Sequence, residues 1–289
     1  MPGNPAETLD LSNQSLERIF TGCGIPLPET GMLLFAFRGA RLTAASGAAK
    51  TWKRSLRIEA APVDHLHMRC VLGIWDREGG RIFAAPGSTV PHRDNVLKAA
   101  ARKGRLRGRG TNQLEPGYYT DLTKGEHLQG KRNGHQALRQ TAYRLYRRSL
   151  TGLPYKAAAP LFFGNPYDNL HCGWNLDGEA EGFSSAGCMV VAGMPHCPRR
   201  DDAHANQGPW KIFHDLLYAA PQRAFPLLLL PMEQAVGLAA GGKGILVYGS
   251  EGEPVRKLQR KLAAAGDYRG PASGRLDART YRAWKQPRR

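Results

Sequence analysis

A cysteine set just after a glycine turn, with a histidine on a neighbouring strand, is a minimal apparatus for attacking a carbonyl carbon. Two segments supply it: Leu170-His171-Cys172-Gly173 and, downstream, Ser184-Ser185-Ala186-Gly187-Cys188. A free thiol titrates near about pH 8.5 and is mostly protonated at neutrality, so an imidazole within hydrogen-bond reach is the usual means of making thiolate. A glycine before the nucleophile lets backbone N–H groups approach a developing oxyanion. The competing reading makes Cys188 a small core residue, because cysteine is among the most buried residue types. Spacing alone does not bring the two side chains together.

Several elements must position this pair. Asp10 and Ser12 are candidate caps for a helix running through Ile19 and ended by Gly22 and Gly24, with Met32 to Phe37 following as an apolar strand. His65 to Trp75 and Arg81 to Ala84 read as meander strands about a turn at Asp76–Gly80, whereas Pro86 to Gly134, rich in Gly and Pro, reads as a long decorated loop with a short helix near Val96 to Ala101. Ala142 to Arg148 alternates apolar and basic residues as a half-exposed strand would, with a helix over Gln136 to Arg148 as the alternative. Asn169 to Cys172 and Cys188 to Ala192 are short β-compatible segments, Trp210, Phe213, Leu216 and Leu217 share one helical face, and Ala224 to Leu230 is a buried strand. The expected fold is α+β: a mostly β domain with a few helices over residues 1–236, a Gly/Ala-rich linker opening at Val236 and covering 237–244, and a small all-α three-helix unit over 245–289.

In that last unit Val255, Leu258, Gln259 and Leu262 form an amphipathic helix closed by Gly266, and Asp277 is placed to cap a second helix through Tyr281 to Trp284. With Gly274 and Thr280 between them, these residues resemble the small peptidoglycan-binding domain found at the ends of wall hydrolases. Arg269 stands where that family usually has an aspartate. A generic helical hairpin is the bland alternative. The resemblance implies peptidoglycan as partner, with Gln259 and Trp284 among the contacts.

The first site is similar to that of the L,D-transpeptidases, the YkuD-type catalytic domain, which carry a histidine on one strand and S/T-x-G-C on the next. Ser185, Gly187 and Cys188 match the second half and His171 the first, although Gly173 follows His171 by two places and Val190 replaces the usual arginine or asparagine. The resemblance implies Cys188 as nucleophile, His171 as its base, Ser185 as part of the motif, and the Gly187–Cys188 backbone as part of an oxyanion hole. It also implies acyl transfer on peptidoglycan stem peptides, to an amine or to water, as in a divergent phage or toxin branch. Arg139 and Arg144 would meet the stem's carboxylates, and no metal or other cofactor is expected.

The balance of 41 Lys+Arg against 24 Asp+Glu, a net charge of +17, points to an anionic partner. Much of the excess sits at Lys98, Arg102, Lys103, Arg105, Arg107 and Arg109, which is more simply a solvated loop. No stacking platform, zinc finger or recognition helix supports specific nucleic-acid binding. The five cysteines are odd in number, so at least one thiol stays free. No signal peptide or membrane span is legible, which implies action in the periplasm or at the wall after lysis or specialised secretion. Two other readings compete: a non-enzymatic wall-binding adaptor or phage structural protein, and a zinc peptidase drawing on His171, Cys172, Cys188, His196 and Cys197. His127 and His135 read as solvated loop histidines.

Overall fold

Ser12 closes β1 (Thr8–Ser12) and caps α1 (Asn13–Gly22): its hydroxyl accepts the Ser15 N–H while the Ser15 hydroxyl accepts the Ser12 N–H. The structure, a computed structural model, describes residues 7–47, 50–104, 110–149 and 159–286, so Arg105, Arg107 and Arg109 lie outside the described residues. After α1 comes β2 (Met32–Arg38), whose unbroken apolar run is buried on both faces. Then β3 (Ala40–Leu42) and β4 (Ser55–Ala60) join β1 in a small sheet. The expected meander is the antiparallel pair β5 (Cys70–Asp76) and β6 (Arg81–Ser88), shorter at its start than predicted because His65 takes a positive φ of 61°. The short helix is α2 (Arg93–Ala100).

The expectation of a long loop from Pro86 to Gly134 is overturned. That stretch holds β7 (Thr111–Leu114) and the eleven-residue β8 (Gly117–His127), which pairs with β9 (His135–Gln140). The helix considered over Gln136–Arg148 is instead β9 followed by β10 (Arg144–Ser149), and β10 sits between β7 and β11 (Leu161–Gly164) in a second three-stranded sheet. Then follow the parallel pair β12 (Leu170–Cys172) and β13 (Met189–Val191), α3 (Gly208–Ala219), β14 (Ala224–Pro231), α4 (Met232–Ala239), α5 (Glu253–Ala264) and α6 (Ala278–Lys285).

Eight strands close into a barrel in the order β12-β13-β6-β5-β2-β14-β8-β9, the circle completed by the β9–β12 pairing. Every one of them sends an apolar side chain into one cluster, among them Leu170, Met189, Phe83, Leu72, Leu34, Leu227, Leu122 and Leu138, with Trp210 and Phe213 of α3 completing it. The alternate residues of the same strands, such as Leu33, Phe35 and Phe37, pack outward beneath α1, α4 and the small β1–β4–β3 sheet. The chain is therefore mixed α and β, a β-barrel with six helices among the described residues.

The stretch expected to be a linker begins inside α4, and the chain after it is held to the barrel. Ile245 N–H bonds Gly22 O at 2.9 Å, Ser250 Oγ bonds Cys23 O at 2.6 Å, and Tyr118 N–H bonds Tyr248 O at 2.7 Å. Two helices, α5 and α6, lie beyond it; a third is not found among the described residues of 245–286.

Candidate active site

Cys188 immediately precedes β13, and parallel pairing of β12 with β13 sets His171 level with Val190. Potential ligand atoms of Cys188, His171 and His127 all lie within 4.8 Å of one another, so the fold brings the two halves of the expected pair into one cluster. The turn that presents Cys188 is built by Ser185: its hydroxyl bonds Cys188 O at 2.7 Å and accepts the Gly187 N–H at 3.2 Å. Start-of-α2 groups grip the same turn, since His92 N–H and Asn95 Nδ2 both donate to Ser185 O. Ser185 is thus a buried positioning group. The Gly187 N–H, expected in an oxyanion hole, is already engaged by Ser185, and the backbone N–H groups of Asn169 and Cys188 are directed at the Cys188 sulfur.

Hydrogen bonds fix the tautomers around the thiol. His171 Nδ1 lies 2.7 Å from Cys172 O. A carbonyl only accepts, so Nδ1 carries the proton and Nε2 is left with its lone pair, the form a general base needs. Gln140 N–H donates to Asn169 Oδ1, which orients that amide so that its Nδ2 donates to His127 Nδ1 at 3.0 Å. His127 therefore carries its proton on Nε2. The His127 ring stacks on His171 with centroids 4.0 Å apart and 14° between planes. His135 gives its Nδ1 proton to Asn133 O at 2.8 Å, and its buried Nε2 has no partner among the described residues.

Burial holds all three imidazoles neutral. His171 is driven well below its ordinary range by desolvation and then by His127 and His135, while His127 falls to about 4 through desolvation and His135. His135 is likewise lowered, mainly by desolvation. The Cys188 thiol is pushed up by burial and by the nearby Asp168 carboxylate. At rest the pair is thiol plus imidazole, not thiolate plus imidazolium.

His127 and His135 are the cluster members that the sequence reading left out of the candidate site. They are not solvated loop groups: they end β8 and β9 as a cross-strand pair, and His135 is only 2% exposed. Only the register of that hairpin brings them to His171, and register is not written in the identity of a lone histidine. The zinc set expected around His171, Cys172, Cys188, His196 and Cys197 is not assembled as such. His196 is exposed and turned to His204 O, and the described clusters are His127–His171–Cys188 and His135–His171–Cys172. All five cysteines are free.

The expected substrate contacts divide. Arg139 is half-buried and lines a surface cavity with Gln129, Gln136 and Arg199. Arg144, expected on a basic surface, is instead only 1% exposed; its Nε bonds Asp121 at 2.8 Å and both Nη atoms lack partners among the described residues. Its charge reaches Cys188 and Asp168 through the protein interior. Gln259, expected to touch substrate, is 1% exposed and spends its amide on Ser273, Arg275 O, Thr280 and the Gly274 N–H. It shapes the loop between α5 and α6 instead. Trp284 is half-buried against Tyr281 and covered by Lys285. In comparisons with known proteins, no family model, no curated protein and no solved structure matches this chain.

Proposed function

We propose that this protein is a cell-wall enzyme that uses Cys188 and His171 for acyl transfer on peptidoglycan stem peptides. The observation that carries the reading is the closeness of the pair: a ring nitrogen of His171 and the Cys188 sulfur lie within 4.8 Å, and with Nδ1 donating to Cys172 O it is Nε2 that keeps the lone pair. In the first half-reaction the Cys188 proton passes to His171 as sulfur attacks the stem amide. The oxyanion meets the Cys188 N–H, and His171 returns the proton to the departing amine. The imidazolium formed in between lies against the ring of His127, which disfavours its charge and so drives the proton on to the leaving amine. An amine acceptor then gives a cross-link or an exchanged residue, and water gives a carboxypeptidase.

The wall as target rests on the resemblance of Val255, Leu258, Gln259, Leu262, Gly266, Gly274, Thr280 and Trp284 to a peptidoglycan-binding domain. A net charge of +17 suits an anionic wall, and no described helix is long and apolar enough to cross a membrane. Action in the periplasm or at the wall after lysis or specialised secretion is part of this proposal.

One observation favours a second reading. His127, His171 and Cys188 would also suit a zinc ion with an open fourth position, and neutral imidazoles are the ligand form. That use requires the Asn169 amide to release His127 Nδ1, or His127 to bind through Nε2 after changing tautomer. The test for both is one incubation of wild type and Cys188→Ala with purified muropeptides, with and without a chelator, read by mass spectrometry. Loss or exchange of the fourth stem residue, abolished by Cys188→Ala and indifferent to chelation, is expected. Activity lost on chelation and restored by zinc would transfer the site to the metal reading, and unchanged muropeptides with sacculus binding intact would leave an adaptor.

A further inference from the structure

Asp168 is a carboxyl that the acyl-transfer reading leaves unused. It stands three residues before His171, and Gln140 fixes this end of β12 with two bonds: its side-chain Oε1 accepts the Asp168 N–H at 3.1 Å, while its backbone N–H donates to Asn169 Oδ1. Its carboxylate lies against the backbone that immediately precedes the nucleophile. A Cβ built on Gly187 would stand 2.7 Å from Asp168 Oδ1 and 3.0 Å from the Asn112 Cβ, at a φ of +150°. Gly187 is therefore required both for its conformation and to admit this carboxyl.

The surroundings of Asp168 differ from those of His171. Asn169 and His171 contact His127 on the β8–β9 side, whereas Asp168 meets Asn112 of β7, with Arg144 and Arg148 of β10 as its charged neighbours. Arg148 is committed elsewhere, to Asn112 Oδ1 at 3.1 Å and to the rings of Tyr146 and Phe162. Arg144 is bonded to Asp121. Asp168 makes no ion pair among the described residues although two arginines are near; its carboxylate holds a side-chain hydrogen bond with Asn112 and keeps further lone pairs for a proton.

We infer that Asp168 is the base of the second half-reaction, receiving the proton of the amine or water that attacks the Cys188 thioester. The inference rests on the acyl-transfer reading. The new N–C or O–C bond forms as the C–S bond breaks, the electron pair returns to sulfur, and the proton taken by Asp168 passes to the Cys188 thiolate. Acylation then uses His171 and deacylation uses Asp168. Desolvation raises the Asp168 carboxyl to about 7, where a base of this kind works best near neutrality.

The test is burst kinetics with p-nitrophenyl acetate, a small acyl donor whose p-nitrophenolate release reports acylation of Cys188 and whose steady state reports deacylation, with glycinamide as added amine. Wild type should show a burst, then a steady rate that glycinamide increases and that rises with pH through about 7. Asp168→Asn should keep the burst while its steady rate falls by about 10²-fold. It should also lose both the response to glycinamide and the pH rise. Asp168→Glu, which keeps a carboxyl, should retain the pH rise, and this guards against a fold defect in the amide variant. Equal loss of burst and steady rate in Asp168→Asn, or no change in either, overturns the assignment. No burst in wild type, or a burst surviving in Cys188→Ala, removes the cysteine reading itself and Asp168's role with it.

Discussion

Cys188 and His171 rest uncharged because desolvation and their neighbours disfavour charge: Asp168 next to the thiol, His127 and His135 next to the imidazole. Thiolate then forms only as the substrate carbon arrives. Alkylation of Cys188 by iodoacetamide should accordingly be slow at neutral pH and climb only above the ordinary thiol range, followed by peptide mapping. A rate plateau below pH 6 would mean a resting thiolate–imidazolium pair and would contradict this account. His171→Gln should lower acylation by about 10²- to 10⁴-fold, the usual worth of a positioned base. Asp168 carries a stability consequence of opposite character. Its folded pKa of about 7 lies above the unfolded carboxylate value, so its contribution is fully present below about pH 4 and is lost as pH rises through 7. Melting temperatures of wild type and Asp168→Asn should therefore diverge across that window, the variant gaining on wild type as pH rises; parallel curves would show that the carboxyl is not perturbed by folding.

At the scale of elements, the legible parts were those whose burial follows a simple period. β2 and β14 are continuous apolar runs, α1 has a serine cap and a single buried stripe, and Asp277 caps α6 through the Thr280 N–H as its position implied. β8 was not legible, because apart from Tyr119 and Leu122 its side chains are largely half-exposed and its polar sequence carries no alternation that composition can detect. The site inherited that blindness. Cys188 and His171 announce themselves by motif, but His127 and His135 arrive by hairpin register and Asp168 from the irregular segment before β12. The link between β7, β10 and α6 was equally hidden. Glu115 accepts two bonds from Arg147, at 2.7 and 3.0 Å, and a third from the Tyr281 hydroxyl at 3.0 Å. Tyr281→Phe removes one charge-assisted bond from a buried carboxylate and should cost about 1.5–3 kcal/mol in urea denaturation. Glu115→Ala removes all three of these bonds at once and should cost more, about 3–5 kcal/mol. Equal midpoints for wild type and Tyr281→Phe would show that the bond contributes nothing to folding.

The molecule as a whole reads from its sequence as two bodies on a Gly/Ala tether, because glycines and alanines after Val236 look like a linker when their neighbours are unknown. Packing reverses that inference. Val236 to Ala239 belong to α4, whose buried face lies in the same cluster as α1, and the following chain bonds Gly22, Cys23 and Gly24 before reaching α5. Leu145 and Leu161 of the second sheet share one hydrophobic cluster with Val255, Leu276 and Tyr281, so neither side has a complete core without the other. A shared core couples unfolding, since exposing one face exposes its partner to water. The full chain should therefore melt in a single calorimetric transition, with equal van't Hoff and calorimetric enthalpies. Truncation before Ile245 should lower the melting temperature of the barrel, because it bares Leu145 and Leu161 and frees the Tyr118 N–H from Tyr248. Two separable transitions, or a truncated barrel as stable as the full chain, would instead establish the C-terminal helices as an independent unit and make their contact with the barrel incidental to the fold.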